Sequence, residues 1–164
     1  MAAEDPEPHV FPDVGAFPNS RLPVLIYRRA VTKAAASDFE RLFASNRWSS
    51  AWRNGLYTVH HYHSTAHEVL GIFQGWVKAR LGGPDGISLT LEAGDVVVIP
   101  AGVGHECLAD DEFLVVGAYP PGGTYDECRG SFSEHQAARK SVPKVPVPKK
   151  DPLYGADGGL TKIW

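Results

Sequence analysis

Between Leu56 and Tyr119 the chain alternates short β-branched and aromatic runs with clusters of Gly, Pro and Asp. The runs are Leu56–Tyr62, Val69–Gln74, Trp76–Leu81, Ile87–Leu91, Asp95–Ile99, Glu106–Leu108 and Phe113–Tyr119. The main breaks are Gly82-Gly83-Pro84-Asp85-Gly86, Ala93-Gly94, Pro100-Ala101-Gly102 and Ala109-Asp110-Asp111. Strand-length runs recurring roughly every ten residues, with turn chemistry between them, predict an all-β sandwich or barrel. The gaps hold no helix, which argues against a parallel α/β fold.

The flanks read differently. Residues 1–29 form an irregular arm and a first strand. Pro6, Pro8, Pro12, Pro18 and Pro23 exclude a helix there, and Leu22–Arg28 is apolar enough for a strand. Residues 30–55 hold a helix and a connecting loop. The helix is expected within Ala30–Asn46, where Ser37-Asp38-Phe39-Glu40 fits a capping box and Phe39, Leu42 and Phe43 fall on one face. Residues 56–120 are the β core. Residues 121–164 form a tail with one or two helical turns at Glu134–Lys140, then an extended stretch enforced by Pro143, Pro146, Pro148 and Pro152. Val142, Val145, Val147, Leu153, Leu160, Ile163 and Trp164 make the tail too apolar for a free linker, so it is expected to pack on the barrel wall.

The chain has 164 residues, enough for one domain, and shows no internal repeat. A net charge of −3 disfavours nucleic acid as a partner. No apolar run approaches the ~20 residues of a membrane helix. The acidic start lacks the layout of a secretory signal. Two cysteines, Cys107 and Cys128, make no disulfide framework, so a reducing, cytoplasmic setting is expected. Lys140, Lys144, Lys149 and Lys150 read as a solvated basic face.

Histidine changes the picture. Seven are present, four of them between positions 60 and 67. His61 and His63 sit two apart on a predicted strand, so they share a face with Cα atoms ~6.5 Å apart. Two imidazoles so placed reach one ion at ~2.1 Å each, although such a pair alone is a weak signal. Glu68 follows after a Ser64-Thr65 break and can return a carboxylate from a second strand. A later block runs Gly94, an apolar strand, Pro100, Gly102 and His105.

At these residues the chain resembles the cupin superfamily. Its first motif is met by His61, His63, Glu68 and Gly75, its second by Gly94, Pro100, Gly102 and His105. The flanks are similar to the small single-domain cupins of YjlB type. Ala109 stands where the family commonly has Asn. The resemblance implies a cupin-type jelly-roll β-barrel, with an N-terminal helix and an extended C-terminal tail. It implies that His61, His63, Glu68 and His105 bind one divalent transition metal (Fe, Mn, Ni or Zn) with open coordination positions. The expected function is a metal-dependent enzyme, a dioxygenase-like oxidoreductase or an isomerase, acting on a small organic molecule. The alternative is a non-catalytic cupin that binds a small molecule or metal as a carrier or accessory protein. A homodimer is expected, with neither nucleic acid nor membrane as partner.

Other residues are weighed beside these. His67, Cys107 and Tyr57 are candidates to orient a ligand or touch substrate, with a core role for His67 and Cys107 as the bland alternative. His60 alternates away from His61 and is read as no ligand. Tyr57 and Val59 share the alternation of His61 and are expected to face inward. Trp48, Trp52, Trp76, Phe73 and Tyr119 either line a pocket or pack in the core. Arg80, Asp126 and Arg129 are possible anchors for a charged substrate. Gly82-Gly83 and Gly122-Gly123 are turn glycines that do not cradle phosphate.

Overall fold

The computed structural model describes residues 5–56, 58–122 and 124–164. Strands β1 (Glu7–Phe11) and β2 (Ser20–Tyr27) precede helix α1 (Ala36–Ser45) and strand β3 (Ser49–Asn54). Then come β4 (Glu68–Leu81), β5 (Ile87–Glu92), β6 (Val96–Ile99) and β7 (His105–Tyr119). The tail carries α2 (Phe132–Ser141), a 3-10 turn (Val142–Lys144) and α3 (Gly159–Ile163).

The strands pair antiparallel in the order β1-β2-β6-β4-β7-β3, with β5 also on β4. β4 and β7 pair along most of their length. The first part of β4 also takes β6, and the second part takes β5. Two long strands are therefore shared by both layers, and they wrap the sheet into the jelly-roll barrel. The bend falls at Gly75, which has φ +69° and lies where a Cβ would strike the main chain of Asp111 and Glu112. The register slips on either side of it, a bulge that re-aims the strand.

The period-2 alternation of the strands builds two cores. Leu70, Ile72, Val97, Ile99 and Val115 point into the barrel. Val69, Val96, Val98 and Val116 point outward, under Phe39 and Phe43 of α1. This explains why all of β6 is buried: each face has its own cover. Burying each Phe ring contributes about 1.5–3 kcal/mol. Gly71 lets the helix approach, because a Cβ there would enter the Phe39 and Phe43 rings.

The tail docks on that same outer layer through Leu153 and Leu160. Its anchor is Asp151, wholly buried. The carboxylate accepts from the N–H groups of Leu153 (2.8 Å), Tyr154 (3.1 Å) and Leu160 (3.0 Å), and from the Tyr27 hydroxyl. Burial and this carboxylate together push the Tyr27 phenol far above its ordinary range.

Several expectations need correction. α1 lies within the expected Ala30–Asn46 and starts at Ala36, but its N-cap is Ala35. The Asp38 carboxylate there accepts the Ala35 N–H at 2.8 Å, so Ser37 does not cap it. The irregular arm contains β1, whose Pro8 is tolerated because β1 pairs on one side only. The connecting loop contains β3. The paired runs 69–74 and 76–81 are one strand, as are 106–108 and 113–119. Among the described residues of the run Leu56–Tyr62, only His61 and Tyr62 make bridges, to His105 and Cys128. The tail carries the helical turns expected at Glu134–Lys140, within α2, but Pro143 lies in the first turn of a 3-10 segment where the prolines predict an extended stretch.

Candidate metal centre

The segment before β4 carries His61 and His63, β4 begins with Glu68, and β7 begins with His105. Main-chain pairing brings the first and last together: His61 N–H donates to the His105 carbonyl (3.2 Å), and His105 N–H to that of His61 (2.9 Å). The sharp turn at Pro100–Gly102 feeds β7 into this position. Gly102 has φ +94° and donates its N–H to the His63 carbonyl at 2.7 Å.

The three imidazoles are buried, and one ligand atom from each lies within 4.8 Å of the others. Each ring is held by its Nδ1. The contacts are His61 to the Val59 carbonyl (2.9 Å), His105 to the Val103 carbonyl (3.1 Å) and His63 to the Asp126 carbonyl. A carbonyl only accepts, so each Nδ1 carries a proton, and Nε2 is the ligand atom, with a lone pair whenever its ring is neutral. Fixing the tautomer this way is how metal-binding imidazoles are oriented. Glu68 lies between two rings, with Oε2 3.4 Å from His63 Nε2 and Oε1 3.7 Å from His105 Nε2.

The electrostatics follow from that arrangement. Burial, then the neighbouring imidazoles, pushes His105 well below the ordinary histidine range. Burial also lowers His61. Burial opposes charge on His63, yet the adjacent Glu68 carboxylate outweighs it and raises His63 to about 9. Among the described residues, the buried His105 Nε2 has no hydrogen-bond partner. A lone pair so placed is costly unless an electrophile meets it. Once His63 gives up its proton, three imidazole nitrogens and one carboxylate form a donor set that fits a divalent ion.

Above the rings lies a cavity of about 230 Å³, walled in part by Trp52, Leu56, Tyr119, Tyr125 and Glu127. Trp52 Nε1–H donates to the Tyr119 hydroxyl at 2.9 Å. That hydroxyl also lies against Glu68. Burial first, then the Glu68 charge, raises it far above the phenol range, so it stays a donor.

Other candidates lie elsewhere. His67 faces away from the cluster and packs edge-on against Trp164, ring centroids 4.8 Å apart. Its Nδ1 accepts the Ala101 N–H at 2.9 Å, and burial lowers it to about 4. It ties the tail to the barrel and does not orient Glu68. Cys107 faces the barrel core with Leu81 and Val115. Tyr57 lies outside the described residues. Val59 is exposed, because the chain there does not pair as a strand. His60 stacks on Phe17 and contacts Glu106 at 3.3 Å, away from the rings. Trp48 and Phe73 belong to the outer core, and Trp76 is exposed.

The proposed charge anchors are spoken for. Arg80 pairs with Glu106 at 3.4 Å and Arg129 with Glu127 at 3.1 Å. The Asp126 carboxylate accepts from Ser64 N–H (2.6 Å), the Ser64 hydroxyl and the Cys128 thiol (3.4 Å). Its role is to hold the loop whose carbonyl fixes His63. Sequence reasoning missed Tyr125 and Glu127, two apart in an irregular loop with no period to reveal their direction.

This barrel and its cluster of inward histidines define a cupin, and the chain belongs to that family: the cupin family model matches residues 29–121. It is 37% identical over 158 residues to the uncharacterized protein YjlB of Bacillus subtilis, covering 95% of this chain and 94% of that one. Among solved structures it is similar to acireductone dioxygenase from Bacillus anthracis, which holds cadmium in its active centre. That match has 20% identity and a TM-score of 0.39, over 54% of this chain and 60% of the other. It is also similar to the manganese-containing oxalate decarboxylase of Bacillus subtilis. There the identity is 23% and the TM-score 0.38, over 65% of this chain and 27% of the other. Neither structural likeness bears on this chain's chemistry.

Proposed function

We propose that this protein is a metal-dependent enzyme acting on a small organic molecule, with His61, His63, Glu68 and His105 as ligands of one divalent transition metal. The buried Nε2 of His105, without a hydrogen-bond partner among the described residues and facing two further imidazoles each held at Nδ1, carries this reading. A bound ion of this kind supplies Lewis acidity or redox chemistry at its open positions. Glu68 offsets part of the ion's charge. Tyr119, held protonated, steadies that carboxylate, and Trp52 fixes Tyr119 in turn. The rings of Trp52 and Tyr119 exclude water from one side of the cavity.

Elemental analysis of the purified protein, beside a His61→Ala/His105→Ala double variant, tests the site. Near one equivalent of a single transition metal in the parent and none in the variant is expected. No metal in the parent after reconstitution overturns it. Turnover of a small-molecule panel by the loaded parent alone is the expected enzymatic result. Tight ligand retention without turnover overturns that half and leaves a binding protein.

A further inference from the structure

The end-group preference of the cavity can be read from its walls, and this reading rests on the proposed metal site. At about 230 Å³ the cavity lies below the ~300–1,000 Å³ of drug-sized sites. It takes only a short molecule beyond the group that meets the ion. Among the described residues, the rings of Trp52, Tyr119 and Tyr125 wall it beside the imidazoles. Tyr119 and Tyr125 stack nearly parallel with centroids 4.6 Å apart.

Charge at the walls is one-sided. Among the described lining residues the only Lys or Arg is Arg53, and its guanidinium is committed to Glu40 through contacts of 3.1 and 2.5 Å. Glu68 faces the imidazoles. The remaining lining carboxylate is Glu127, whose partner Arg129 sits outside at 3.1 Å and is 62% exposed. Arg53 is nearly as exposed, at 54%, but two contacts clamp it to Glu40, whereas Arg129 holds Glu127 by one. A single exposed contact gives way more readily to a better partner.

Three kinds of substrate end then fare differently. A second anionic group finds no free cation and meets Glu127. An apolar end gains the rings only. An ammonium gains a charge-assisted hydrogen bond to Glu127 and attraction to the ring faces. We propose that the site takes small zwitterions, an anionic oxygen at the ion and an ammonium at the mouth, with Glu127 as the residue that sets this specificity.

A series sharing one propionate frame tests this: β-alanine, butyrate and succinate, which differ only in an ammonium, methyl or carboxylate end. Calorimetry on the zinc-loaded protein should show β-alanine binding about tenfold tighter than succinate, with butyrate between. Glu127→Gln should collapse that preference while zinc stoichiometry stays unchanged. Arg129→Gln, which frees Glu127, should widen it. Succinate binding as tightly as β-alanine, or a preference untouched by Glu127→Gln, overturns the inference. Failure of the parent to take up zinc overturns the metal reading instead. The same series is then read on the metal-free protein by ligand-observed NMR. A Glu127-dependent preference for β-alanine there sustains the inference, and its absence overturns it.

Discussion

Ser64 and Asp126, 62 positions apart, are joined twice: the Ser64 N–H reaches Oδ1 at 2.6 Å, and its hydroxyl reaches Oδ2. The same aspartate offers its main-chain carbonyl to His63 Nδ1. Asp126→Ala frees the loop and with it the ring, so metal affinity is expected to fall about 10–100-fold. A competition titration with a zinc chelator measures this. An unchanged affinity would show that the carbonyl stays in place without the carboxylate.

The same residue sets part of the acid response. Burial raises Asp126, but the hydrogen bonds from Ser64 outweigh it and hold the carboxyl below its ordinary 3.8. A depressed folded-state value gives stability that is present above pH 3.8 and lost as pH falls through the folded value. The acid-unfolding limb of Asp126→Asn should therefore be flatter below that pH than the parent's, by circular dichroism.

Trp52 lies directly over Gly117, where a Cβ would enter the indole. Gly117→Ala must displace the ring and break its bond to Tyr119. The expected cost is about 1–3 kcal/mol in denaturant unfolding. A shift in tryptophan emission should accompany it.

Asp151→Ala strands three main-chain N–H groups and the Tyr27 hydroxyl in a dry setting. Destabilisation above about 3 kcal/mol is expected. The tail should also become cleavable by trypsin at Lys149 and Lys150 under conditions that leave the parent intact. An uncleaved variant would mean that Leu153 and Leu160 suffice to dock it.

Both thiols should be inert in the folded protein. Burial first, then the Asp126 charge, pushes Cys128 up to about 12, and burial also raises Cys107. A thiol reagent at pH 8 should label neither cysteine until denaturant is added, as mass spectrometry would show.

The ligand candidates were legible because each sits where a local rule fixes direction. His61 and His63 are two apart, and His105 follows a Pro-x-Gly turn that ends one strand and starts another. The strand breaks misled for a related reason: Gly75 and Ala109-Asp110-Asp111 mark a bend within long strands, and local chemistry alone does not separate a bulge from an end. β3 is polar at Ser49-Ser50 and, among the described residues, pairs only with β7, so its strand character comes from the partner. Tyr125 and Glu127 were illegible because a loop has no periodicity. His67 escaped assignment because its partners, Ala101 and Trp164, are 34 and 97 positions away.

The reciprocal main-chain pairing of His61 and His105 has a consequence for redesign. Such a pair holds its Cα atoms about 5.5 Å apart whatever side chains they bear. The spacing of the two donors thus belongs to the sheet and is independent of the imidazoles. Cysteine or aspartate at either position inherits the same footing, so the barrel can be retuned toward a softer or harder ion by side-chain exchange, with its backbone left as it stands.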